Sequence, residues 1–162
     1  MGKSSEIKEL IVKGFPKLQY DEHFEITSPE DCNYNCIAWA YQIKNRWMWP
    51  PAGNPLYKGG LDAVTYWPND EAQEPDVKEF IKAFEQKGYR VCDDSEFENG
   101  YRKIALYIIP GTTECTHAAR QLSSGYWTSK LGESYDIQHG TPYTLEGRIY
   151  GSVYCIMKKE FK

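Results

Sequence analysis

The 162-residue chain reads as an α+β domain, a central buried helix packed on an antiparallel sheet. Three observations carry this. Helical signals lie in the first half, where Asn33 to Tyr41 (NYNCIAWAY) leaves no polar side and Pro75 to Lys87 carries an apolar stripe. Strand signals fill the second half, from Lys103 to Met157. Between two of those strands, Ser123-Ser124-Gly125 has the form of a three-residue hairpin loop, so its flanks are antiparallel. Helices first and strands afterwards is the order of an α+β domain.

From Ser5 to Lys13, Ile7, Leu10 and Ile11 recur at helical spacing, and Gly14 and Pro16 end the run. Glu22 to Thr27 alternates through Phe24 and Ile26, as an edge strand does. Pro29, in Ser28-Pro29-Glu30-Asp31, opens a lead-in to the central helix, for which Asn35 is the N-cap. Residues 45–74 hold Trp47, Trp49, Pro50, Pro51, Pro55, Gly59, Gly60, Tyr66, Trp67 and Pro68, too many breakers for regular structure. Three tryptophans argue against disorder there, and Trp47 and Trp67 are expected to pack on the core or wall a groove.

In the second helix Val77, Phe80, Ile81 and Phe84 share a face, Pro75 suits the first position and Gly88 the C-cap. Tyr89 to Cys92 reads as a short strand and Asp93 to Gly100 as an acidic loop. Lys103 to Ile109 (KIALYII) has the content of a buried strand, Thr116 to Leu122 and Tyr126 to Leu131 form the hairpin, and Arg148 to Met157 is a terminal strand. One domain over 1–162 is expected, with 1–31 as N-terminal helix and lead-in.

Composition supports a packed core: hydrophobic residues are 41% and aromatics 15%. A chain of this size buries roughly 70% of its unfolded surface. A net charge of -4 gives no field that draws the protein to nucleic acid or anionic lipid. No apolar run reaches the ~20 residues of a membrane span. Five cysteines, at an odd count and irregular spacing, and the absence of a secretory signal fit the reducing cytoplasm. No cofactor is implied.

The chemistry centres on Cys36. Behind an Asn35 cap it stands in the first turn of a helix, where free N–H groups and the dipole favour thiolate. His117, in THAARQL, begins a strand that can bring its imidazole to the sulfur as a base. With the turn centred on Ser124, position 117 falls opposite Leu131, so Ser129 lies diagonally on the same face. Asp136, in YDIQH, is the expected orienter because a carboxylate stabilises an imidazolium; Ser129 has the better register, and His139 is a third option. The oxyanion donors expected are the Cys36 N–H and an Asn33 or Asn35 side chain.

The segments NCIAWA, WMWP, YWP, KIALY, THAARQL, YWTSKLG and DIQHGT, in that order, resemble a family of small uncharacterised bacterial proteins. More distantly the layout is similar to papain-like cysteine hydrolases, in their NlpC and CHAP amidase branches. That resemblance implies Cys36 as nucleophile, His117 as base and a third residue near Ser129, which departs from the His, Asn, Asp or Glu usual there. It implies a thiol hydrolase, a peptidase or amidase, acting on a peptide or protein substrate. Two rivals stand beside it. One is a non-catalytic interaction or immunity module with the 47–67 aromatics as its patch. The other is a zinc site built from Cys32, Cys36, Cys115 and His117.

Overall fold

A computed structural model describes residues 2–28, 40, 47–48, 65–66, 76–131 and 135–160. A seven-stranded sheet, with every neighbouring pair antiparallel, is its central element. Across the sheet the order is β1 (Glu25–Ser28), β8 (Asp136–His139), β7 (Trp127–Lys130), β6 (Cys115–Gln121), β5 (Tyr101–Ile108), β9 (Ser152–Glu160) and β4 (Arg90–Cys92). Two further strands, β2 (Trp47–Met48) and β3 (Thr65–Tyr66), pair in parallel, inside a segment whose breakers predicted no regular structure.

Both faces of the sheet are covered. On one lie α1 (Gly2–Gly14) and two 3-10 turns, Pro16–Tyr20 and Pro142–Leu145, which bring Ile11, Phe15, Leu18 and Leu145 onto Ala105, Tyr107, Ala119 and Ile137. On the other lies α2 (Val77–Gln86), whose Val77, Phe80, Ala83 and Phe84 pack on Ile104, Leu106, Ala118 and Met157. Successive residues of β5 thus enter opposite cores, which is why KIALYII reads as an unbroken apolar run. The expectation of a central helix is corrected: the described helices flank a sheet, and of the NYNCIAWAY stretch only Ala40 is described, buried in the α2-side core.

Local chemistry explains the boundaries. The N-cap of α2 is Asp76, whose carboxylate accepts from the Lys78 N–H at 2.8 Å and from the Thr113 hydroxyl at 2.7 Å. This ties the start of α2 to the β5–β6 turn. Gly88, at φ +105°, ends the helix as a left-handed C′ residue. The acidic loop after β4 closes over Lys103, whose buried ammonium lies 3.1 Å from Asp94 and 3.4 Å from Glu98. Desolvation disfavours that ammonium, but the Asp94 and Glu98 hydrogen bonds and the negative charge around it together outweigh this and hold the pKa above the ordinary lysine range. Strand β8 follows a lead-in that carried no alternating pattern in the sequence.

Candidate functional site

β5 pairs with β6 through Leu106↔Ala118 and Tyr107↔His117, and then the register slips so that Ile108 meets Cys115. Thr116 is therefore the extra residue of a bulge. On the other side of β5 the register slips at the same level, from Leu106↔Cys155 to Tyr107↔Val153, with Tyr154 extra. Bulges re-aim side chains. His117 has the parity of Ala119 and so faces the α1 side, against Tyr107 at 5.0 Å and parallel to Tyr150 at 3.9 Å and 7°, while the extra Thr116 turns Cys115 into the α2-side core.

The hairpin registers as Arg120↔Thr128 and Gln121↔Trp127, the pairing a turn centred on Ser124 requires. Ser129 therefore lies diagonal to His117 on one face. His117 Nε2 is 3.0 Å from Ser129 Oγ, and Ser129 Oγ is 2.8 Å from His139 Nε2. His139 Nδ1 is 2.8 Å from the Thr141 carbonyl oxygen. All three side chains are fully buried.

The acceptor at the end fixes the protons of the row. A carbonyl only accepts, so His139 carries its proton on Nδ1 and its Nε2 is an acceptor. The Ser129 hydroxyl donates to that Nε2, and its oxygen accepts from His117 Nε2–H. His117 Nδ1 is then a bare lone pair, and it finds no hydrogen-bond partner among the described residues. Burial, and then neighbouring His139, hold the His117 imidazole well below its ordinary pKa. Burial takes His139 to about 4, against the opposing influence of Thr141 and Asp21. Both rings are neutral near pH 7.

Asp136 is not part of this row. Its neighbour Ile137 packs in the α1-side core, so Asp136 points to the other face, where it lies 4.0 Å from Lys130, its partner across the β7–β8 ladder. The residues the structure gathers around His117 are Ser129 and His139, and the choice of Asp136 as orienter is corrected on that ground. Asp21, which no sequence signal marked, stands behind His139. Burial raises its pKa, but hydrogen bonds from the Thr144 hydroxyl and the N–H groups of Gly140 and His23 outweigh that and hold it below the usual carboxylate range.

Cys36, Asn35 and Trp67 lie outside the described residues, and Trp47 pairs through its backbone with Thr65. Cys115 packs in the α2-side core while His117 faces the α1 side, so the two do not converge as ligands of one metal. Among the described residues no group of three or more His, Cys, Asp or Glu is placed to hold a metal ion. No helix among them is long and apolar enough to cross a membrane.

Fold and site together define an antiparallel α+β domain with a buried His-Ser-His row in its sheet. The chain belongs to the family described as Domain of unknown function (DUF7689), whose model matches residues 25–158. No curated protein and no solved structure matches it.

Proposed function

We propose that the protein is a thiol-dependent hydrolase of the papain-like type, with Cys36 as nucleophile, His117 as base and Ser129 and His139 as the row that orients the base. The observation that carries this is the Nδ1 of His117, a lone pair with no hydrogen-bond partner among the described residues. A neutral imidazole whose far nitrogen is held by a hydroxyl is poised to take a proton at the near one. The reading requires the Cys36 sulfur to reach that Nδ1. The thiol proton passes to Nδ1, and the thiolate attacks an amide carbonyl carbon, forming a C–S bond and an oxyanion. Collapse breaks the C–N bond, and the imidazolium gives its proton to the leaving amine. Water, deprotonated by the same nitrogen, then cleaves the thioester and releases the acid. The substrate in this reading is a peptide or amide, and the setting is cytoplasmic.

A non-catalytic interaction module is the second reading, and two observations favour it. The His117 ring is fully buried and stacked on Tyr150. Ala40, four residues beyond Cys36, packs on the opposite side of the sheet. Iodoacetamide alkylation of the folded protein, mapped by mass spectrometry at about pH 6, separates the two. The hydrolase requires Cys36 to react far faster than a thiol of pKa ~8.5, and His117→Ala to abolish the excess. A Cys36 that stays inert overturns it.

A further inference from the structure

Where the β6–β7 turn, the acidic loop and the turns flanking β1 and β8 meet, a preformed groove of about 550 Å³ opens to solvent. Three carboxylates line it, Asp21, Glu22 and Glu96, and none of the described residues that line it is a lysine or arginine. Aromatic rings stand beside them: Tyr20, 80% exposed, Phe97, 49% exposed, and Tyr126, which stacks on His23 at 4.1 Å. Gln121 cross-links two walls by donating to the Ser95 and Gly125 carbonyls, both at 3.2 Å. Asp21 cross-links two more through Gly140 and Thr144. The shape therefore exists before any ligand arrives.

Carboxylates beside exposed aromatic faces are the surroundings a desolvated guanidinium or ammonium prefers, through charge and through the ring quadrupoles. A void of this size takes one long side chain and its flanking backbone. From this charge complementarity we infer that the groove is a docking site for an extended, arginine- or lysine-bearing peptide segment of a partner protein. Occupancy does not involve the Cys36 thiol, so this inference and the hydrolase can fail separately.

The test is isothermal titration of the full chain, at low and at physiological salt, with capped Ala-Arg-Leu-Arg-Ala and with the same peptide carrying citrulline for arginine. The arginine peptide is expected to bind about tenfold or more tighter than the citrulline peptide, and to weaken as salt rises. Glu22 and Glu96 are exposed, so the E22Q/E96Q variant folds and is expected to lose about tenfold in affinity. Phe97→Ser should weaken binding without changing its salt dependence. As a control, the exposed acids Glu9 and Glu160 lie away from the groove, and E9Q/E160Q should bind as wild type does. Equal binding of the two peptides, no binding at millimolar concentration, or equal losses in both double variants overturns the inference.

Discussion

Nε2 of His117 and Nε2 of His139 share one hydroxyl, that of Ser129, at 3.0 and 2.8 Å. A hydroxyl can serve both only by donating to one and accepting from the other, so the row has a single direction, set by the Thr141 carbonyl. Removing the hydroxyl strands two buried nitrogens at once. Ser129→Ala is expected to cost about 2–6 kcal/mol, since each of the two buried polar groups left unsatisfied costs about 1–3. Urea unfolding measures it. A loss below about 0.5 kcal/mol, typical of a neutral surface substitution, would mean the row is not closed.

The same burial makes the fold acid-sensitive. His139 has a folded pKa of about 4 against ~6.5 in the unfolded chain, so between those values the unfolded state binds more protons. Stability is fully present above ~6.5 and is lost as pH falls through 4, by on the order of 3 kcal/mol from this residue. His117 shifts in the same direction and adds to the loss. Urea midpoints measured from about pH 7 down to about pH 4.5 should fall steadily, and His139→Gln should flatten the slope. A midpoint that rises on acidification would reverse the assignment of neutral rings.

What the sequence made legible follows from which forces are local. Val77, Phe80 and Phe84 recur at helical spacing and do pack as one face; Ser123-Ser124-Gly125 sets the hairpin register, and through it the diagonal of His117 and Ser129. Asp136 misled because its chemistry was weighed without its strand: β8 was not visible, and in a strand the parity of 136 and 137 decides which face a side chain joins. His139 has the parity of Ser129, so a strand over 136–139 would have selected it. The bulge in β9 beside Tyr107 depends on a pairing dozens of residues away and leaves no local signature. Asp21 reaches Gly140 across 119 residues of chain, beyond any periodicity argument.

Gly151 carries a constraint of another kind. At φ +78° it pairs with Gly147 through two backbone hydrogen bonds and leads the chain into β9. A Cβ there would collide with the Ile108 carbonyl, in the strand that aligns Tyr107 with His117. The neighbour is backbone and cannot swing away. Gly151→Ala is expected to cost more than about 3 kcal/mol, the sum of a left-handed conformation and a steric displacement. Gly100, at φ +88° with open space around its Cβ position, is the comparison. Gly100→Ala should cost only about 1–2 kcal/mol, the penalty for an L residue in that conformation. Thermal unfolding of both variants gives the difference, and equal costs would remove Ile108 from the explanation.

Asp136 and Ser129 sit on adjacent strands but on opposite faces, which makes a paired experiment possible. Asp136→Asn removes a buried charge facing Lys130 and is expected to cost about 3 kcal/mol, as removing one partner of a buried ion pair does. Ser129→Ala costs a similar amount through the histidines. Stability alone therefore does not tell the two roles apart, but thiol reactivity does. If Ser129 orients His117 and Asp136 does not, Ser129→Ala slows Cys36 alkylation per folded molecule, whereas Asp136→Asn leaves the rate at the wild-type value. The measurement is the alkylation rate at about pH 6, corrected for the folded fraction obtained from urea unfolding. Should Asp136→Asn slow the thiol as much as Ser129→Ala does, the carboxylate acts on the base across the sheet and the Ser129–His139 row does not set its proton.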